Sequence, residues 1–168
     1  MFRRMADDGA PFDGSELDFW LGEWDVTWEG GHGTNRISLT LRDRVILEEF
    51  EEAVDTGLAG SGGADDSGAD SADALHGRSW SVFDPDQRLW RQTWVDDQGS
   101  YLDLVGGRND GCFTFERAAP ERGDRARQRM VFRDVTPDAF RWTWESSPDD
   151  GATWIVRWAI DYRRRAVP

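Results

Sequence analysis

The chain has 168 residues and a formal net charge of −13 at pH 7, from 33 acidic and 20 basic residues. That length fits one domain with a sizeable core. The acidity argues against the basic face of a nucleic-acid binder and against docking on an anionic membrane, so neither partner is expected.

All 20 basic residues are arginine, and Asp outnumbers Glu by 23 to 10. This balance is equally consistent with a salt-adapted acidic surface and with GC-rich coding. One cysteine, Cys112, excludes an internal disulfide and a multi-cysteine metal site, and a buried inert thiol is expected there. Residues 1–6 lack the apolar run of a signal peptide, and no stretch approaches the ~20 apolar residues of a membrane span. The expectation is a cytoplasmic protein.

In chain order, residues 1–14 are polar and rich in Gly, Pro and Asp, and predict a flexible tail. Leu17, Trp20 and Leu21 then recur at helical spacing, which predicts a short helix over 15–21. At Gly22 the period changes to two. Trp24, Val26 and Trp28 share one face of a first strand. Gly30, Gly31 and Gly33 read as a turn, and strands follow at 34–42 and 45–53, the latter carrying Glu48, Glu49, Glu51 and Glu52. Residues 55–74 are almost entirely Gly, Ser, Ala and Asp and predict a disordered insertion loop.

Beyond it come strands at 75–83, 88–96, 100–106, 112–117, 126–135, 139–146 and 152–163, separated by turn residues such as Asp84-Pro85-Asp86 and Asn109-Asp110-Gly111. Residues 15–163 thus form one domain, and 164–168 a fraying tail. Ten short strands with hairpin links predict an all-β, roughly ten-stranded antiparallel up-and-down barrel. Closure removes sheet edges, and ten strands leave room for a cavity.

The stretches FWLGEWDVTW, SWSVFDPDQRLWRQTWVD and SSPDDGATWIVRW resemble a group of lipocalin-like bacterial proteins of the calycin superfamily, of unassigned function. Gly22-Glu23-Trp24 resembles the Gly-x-Trp opening of that superfamily. The strand count is more distantly similar to fatty-acid-binding proteins and nitrobindins. The resemblance implies a ligand-holding barrel. It also implies a late arginine across the base tryptophan, for which Arg157 is the first choice and Arg163 the second. Nitrobindin-like barrels hold haem through one histidine, and His76 is the only histidine placed on a strand, in a context that does not match theirs. No cofactor is therefore assigned.

Ten tryptophans, most at alternating positions, suggest an aromatic interior. The fifth strand alternates Trp90, Gln92 and Trp94, as a mostly apolar cavity wall with one polar group would. Trp80, Gln92, Trp94, Tyr101 and Trp142 are the principal candidate ligand contacts, with Arg78 and Asp103 as polar partners. No nucleophile elbow, phosphate loop or dinucleotide fingerprint occurs in a strand–helix context, so no catalytic residue is assigned. Three functions stay open. One is a binding module for a small hydrophobic or aromatic molecule. The second is an isomerase or cyclase on the same barrel, using Tyr101, Asp103 or Arg78. The third is a solid-cored interaction protein, for instance a homodimer.

Overall fold

Apolar residues alternating with polar ones, with turn residues between the alternating runs, fold the chain into ten barrel strands. The computed structural model describes residues 4–5, 11–12, 14–54, 74–109 and 111–166. The barrel strands are β1 (Gly22–Trp28), β2 (Gly31–Thr40), β3 (Val45–Glu52), β4 (His76–Asp84) and β5 (Leu89–Asp96). They continue as β6 (Tyr101–Asn109), β7 (Cys112–Ala118), β8 (Arg127–Arg133), β9 (Ala139–Ser147) and β10 (Ile155–Arg164). Each pairs antiparallel with the next, and β10 closes on β1 through rungs from Asp161↔Thr27 to Arg164↔Trp24. No described strand of the barrel is left with an unpaired edge.

Several expectations need correction. The predicted short helix is a single 3₁₀ turn, Asp18–Trp20. The spacing of Leu17 and Trp20 suits a three-residue turn as well as an α-helix, and Gly22 starts β1 before a second turn can form. Arg4–Met5 and Pro11–Phe12, within the expected tail, pair as a two-rung ladder. β2 begins at Gly31, inside the expected turn. Cys112 is free and only half-buried. Most of the expected insertion at 55–74 lies outside the described residues.

The barrel interior divides into layers. At the end closed by the 3₁₀ turn, Leu17, Trp20, Trp24, Phe113, Phe132 and Phe140 are buried together. Phe19 caps them, edge-on to Phe132 at 5.5 Å and to Phe140 at 5.8 Å. This end is packed solid.

The arginine across the base tryptophan is Arg164. Its guanidinium lies 4.2 Å from the centre of the Trp24 ring. It also donates to the carbonyls of Leu21 at 2.8 Å, Phe19 at 3.3 Å and Pro137 at 2.7 Å. Neither Arg157 nor Arg163 takes this place. The β9–β10 register shifts at Glu145↔Val156, leaving Arg157 out of the ladder at the opposite end of β10, where it bonds Ser146 Oγ. Arg163 has the wrong parity: Ile160, Tyr162 and Arg164 share the inward face.

Gly22 makes the close approach possible. At φ +131°, a Cβ there would lie 2.2 Å from Arg164 Nη1. Arg164→Ala removes a cation–π contact of ~1 kcal/mol and charge-assisted bonds to three carbonyls. We expect a loss of about 2 kcal/mol in urea unfolding, against almost none for Arg157→Ala. Equal losses would refute the assignment of Arg164 as the closing residue.

Candidate functional site

At the opposite end the interior is not filled. A cavity of about 280 Å³ opens there. Trp94 from β5, Leu102 from β6, Met130 from β8, Trp142 and Trp144 from β9, and Trp158 from β10 form its walls. Glu48, Ile160 and Tyr162 lie at its depth, and Asp96, Ser100, Glu121 and Arg122 at its mouth.

Local sequence explains the aromatic walls. Trp142 and Trp144 alternate on β9 and stand almost parallel, with ring centres 6.5 Å apart. Trp158 meets Trp142 edge-on at 5.7 Å and Trp28 at 5.3 Å. Trp94 lies over bare backbone: a Cβ on Gly77 of β4 would come within 2.1 Å of its ring. Trp94 Nε1 donates to Asp96 Oδ2 at 2.9 Å.

Burial opposes charge on Asp96. The Trp94 bond and bonds from Ser100 and Gln98 outweigh it and hold the carboxyl below its ordinary value. At Glu121, hydrogen bonds from Arg117 act in the same direction.

Between the solid end and the cavity runs a polar layer on four consecutive strands, β2 to β5. Glu48 Oε1 accepts from Asn35 Nδ2 at 2.8 Å, and Oε2 accepts from Ser79 Oγ at 2.5 Å. Gln92 Nε2 donates to Ser81 Oγ at 3.0 Å and Ser79 Oγ at 3.3 Å. Asn35 Nδ2 also donates to the Tyr162 hydroxyl at 3.0 Å. Asn35 Oδ1 and Gln92 Oε1 are buried with no hydrogen-bond partner among the described residues.

Burial pushes the Glu48 carboxyl up from 4.5 to about 7. The bonds from Ser79 and Asn35 and the charge of Arg78 only partly oppose this. Burial, with the nearby Glu48 charge, also raises the Tyr162 hydroxyl, which keeps its proton.

The seven residues selected from sequence separate into two groups. Trp94 and Trp142 line the cavity. Gln92 is buried in the polar layer beneath it. The other four stand on the outer wall. Arg78 pairs with Glu49 at 3.6 Å and Glu51 at 3.2 Å. Trp80, Tyr101 and Asp103 come together in an open outer depression of about 880 Å³ over β4 to β7, with Trp80 41% and Tyr101 67% exposed.

Strand parity is the reason. β4 turns Gly77, Ser79 and Ser81 inward and β6 turns Leu102 and Leu104 inward, so their neighbours face out. His76 lies outside the cavity lining, with Nδ1 2.9 Å from Asp97 Oδ2. No group of three or more His, Cys, Asp or Glu among the described residues is arranged to hold a metal. Glu48, Tyr162, Trp144 and Trp158 were not selected from sequence. The available signal for Glu48 was its shared parity with Ile46 and Phe50.

No family model and no curated protein matches the sequence. Among solved structures, the S-type phycobiliprotein lyase CPES from Guillardia theta superposes with a TM-score of 0.51 at 12% identity, over 90% of this chain and 92% of that one. At this identity the likeness carries the fold and nothing of the chemistry. No described helix is long and apolar enough to cross a membrane.

Proposed function

We propose that this chain binds a small hydrophobic or aromatic molecule in the open end of its barrel. The observation that carries the reading is a 280 Å³ cavity walled by indoles, set above a polar layer and backed by a solid plug. An apolar cavity of about 150 Å³ takes one benzene, so this one has room for a ring and a short side chain. The calycin-like fold supports a container. The Gly22-Glu23-Trp24 opening and Arg164 over Trp24 support a place among lipocalin-like proteins. The contacts proposed are Trp94, Trp142, Trp144 and Trp158, with Gln92 supporting the layer below.

A panel of single-ring and two-ring metabolites, read by intrinsic Trp fluorescence and melting temperature, tests this. For a ligand so found, Trp142→Ala is expected to weaken binding at least tenfold, about 1.4 kcal/mol, and Trp80→Ala to leave it unchanged. The reverse pattern would move the site to the outer wall. A panel without effect on either signal would remove the container reading.

The isomerase or cyclase alternative draws no support from Arg78, Tyr101 or Asp103, which face away from the cavity. The interaction alternative has one observation in its favour, the apolar exposure of Trp80, Val82, Tyr101 and Val105 on the outer wall. Sedimentation of the wild type against Trp80→Ser tests it: a dimer that the substitution dissociates would support it, and a monomeric wild type would dismiss the homodimer.

A further inference from the structure

We propose that the molecule this cavity takes is an organic cation, a single aromatic ring carrying an ammonium group, with Glu48 as its counter-ion. The inference rests on the open end of the barrel being the ligand site and assigns the ligand class.

Glu48 is a carboxyl deep inside the barrel that faces the cavity. Its two bonds come from neutral donors, Asn35 and Ser79. Among the described residues no arginine bonds it. Arg78 lies across the wall and is engaged by Glu49 and Glu51. A buried charge is costly until it is paired. An ionised carboxylate offers about four acceptor positions, and two are in use.

Asn35 and Gln92, whose Oδ1 and Oε1 are unpartnered, belong to the same network but do not line the cavity, so the open acceptor positions that a guest meets are those of Glu48. An ammonium supplies three donors, accepts nothing, and carries the missing charge. The rest of the cavity suits the same guest. Trp94, Trp142, Trp144 and Trp158 line it, and cations over indole gain most when desolvated. A carboxylate ligand such as a fatty acid would place a second negative charge against Glu48. The net charge of −13 also favours the approach of cations.

The groups that face Glu48 are Tyr162 from β10 and, at the mouth, Asp96, Glu121 and Arg122, with Arg78 across the wall. Asp96 and Glu121 are held below their ordinary values, and Tyr162 above its own. The proton exchanged near neutrality therefore belongs to Glu48. Binding a cation displaces it, so affinity rises with pH up to about 7 and then levels.

Calorimetry with 2-phenylethylamine, 2-phenylethanol and 3-phenylpropionate tests the class. The amine is expected to bind at least tenfold tighter than the alcohol, with no detectable binding of the acid. In buffers of different ionisation enthalpy, the wild type is expected to release about half a proton at pH 7. Glu48→Gln should abolish both the release and the preference for the amine while its melting curve stays cooperative.

If alcohol or acid binds as well as the amine, the cation class is overturned and the container stands. If the wider metabolite panel fails as well, the container falls with it. The wild-type order of the three ligands decides the matter even if the variant does not fold.

Discussion

Glu48→Gln is expected to stabilise the ligand-free protein by roughly 3 kcal/mol at pH 8 and by little at pH 4.5, as measured by urea unfolding. The sign follows from proton binding. The native carboxyl titrates at about 7 and the unfolded one near 4.5, so between those values the native state holds more protons. Stability contributed by the protonated carboxyl is full below about pH 4.5. It falls as pH rises through the window and is flat above about 7. Glutamine removes that slope while keeping an acceptor for Asn35 and a donor for Ser79.

The remaining perturbed carboxylates act oppositely and at lower pH. Asp149, held at about 2 by bonds from Thr153 and Ser147, Asp84 and Asp97 lie below their ordinary values. Their stabilisation is lost only as pH falls through the acid range. A wild type and variant with parallel pH profiles would show that Glu48 is ionised at no unusual cost, and the argument for a missing counter-ion would weaken with it.

The meander was legible because each strand carries its own alternation and each turn its own residues. Asp84-Pro85-Asp86 ends a strand by its own turn chemistry. The site was less legible because parity fixes only which residues share a face, not which face turns in. On β4 the aromatic Trp80 suggested the inside. The interior beside Trp94 has no room for a Cβ at Gly77, and with Gly77 inside, parity puts Ser79 and Ser81 inside and turns Trp80 out.

On β6 the pair Leu102 and Leu104 against Tyr101 and Asp103 was itself an inward signal, overshadowed by the polar groups. On β3 a run of glutamates disguised one that shares its face with Ile46 and Phe50. Arg164 was missed because the strand was expected to end one residue earlier. Counting on from Ile160 and Tyr162 reaches it directly. Trp154, four residues before the cavity-lining Trp158, stacks outside on Arg129, with the guanidinium 3.9 Å from its ring centre. It precedes the first residue of β10 and so escapes the strand's parity.

Phe132→Ala is expected to cost about 3–5 kcal/mol and to lower Tm by roughly 10 °C. Its ring is fully buried. It meets Trp20 at 5.3 Å, Phe19 at 5.5 Å, Phe140 at 5.6 Å and Phe113 at 6.1 Å, so deletion opens a void among rings that are held by one another.

Trp142→Ala removes a larger side chain at lower cost, because one side of that indole already faces empty space and its loss enlarges a cavity rather than creating one. Chemical unfolding of both variants beside their ligand titrations therefore separates two jobs. Phe132→Ala should lose stability and, at temperatures where it is folded, keep its affinity. Trp142→Ala should keep most stability and lose affinity. Equal destabilisation by the two would mean that both ends of the barrel are packed alike, and a barrel packed alike at both ends has no place for a guest.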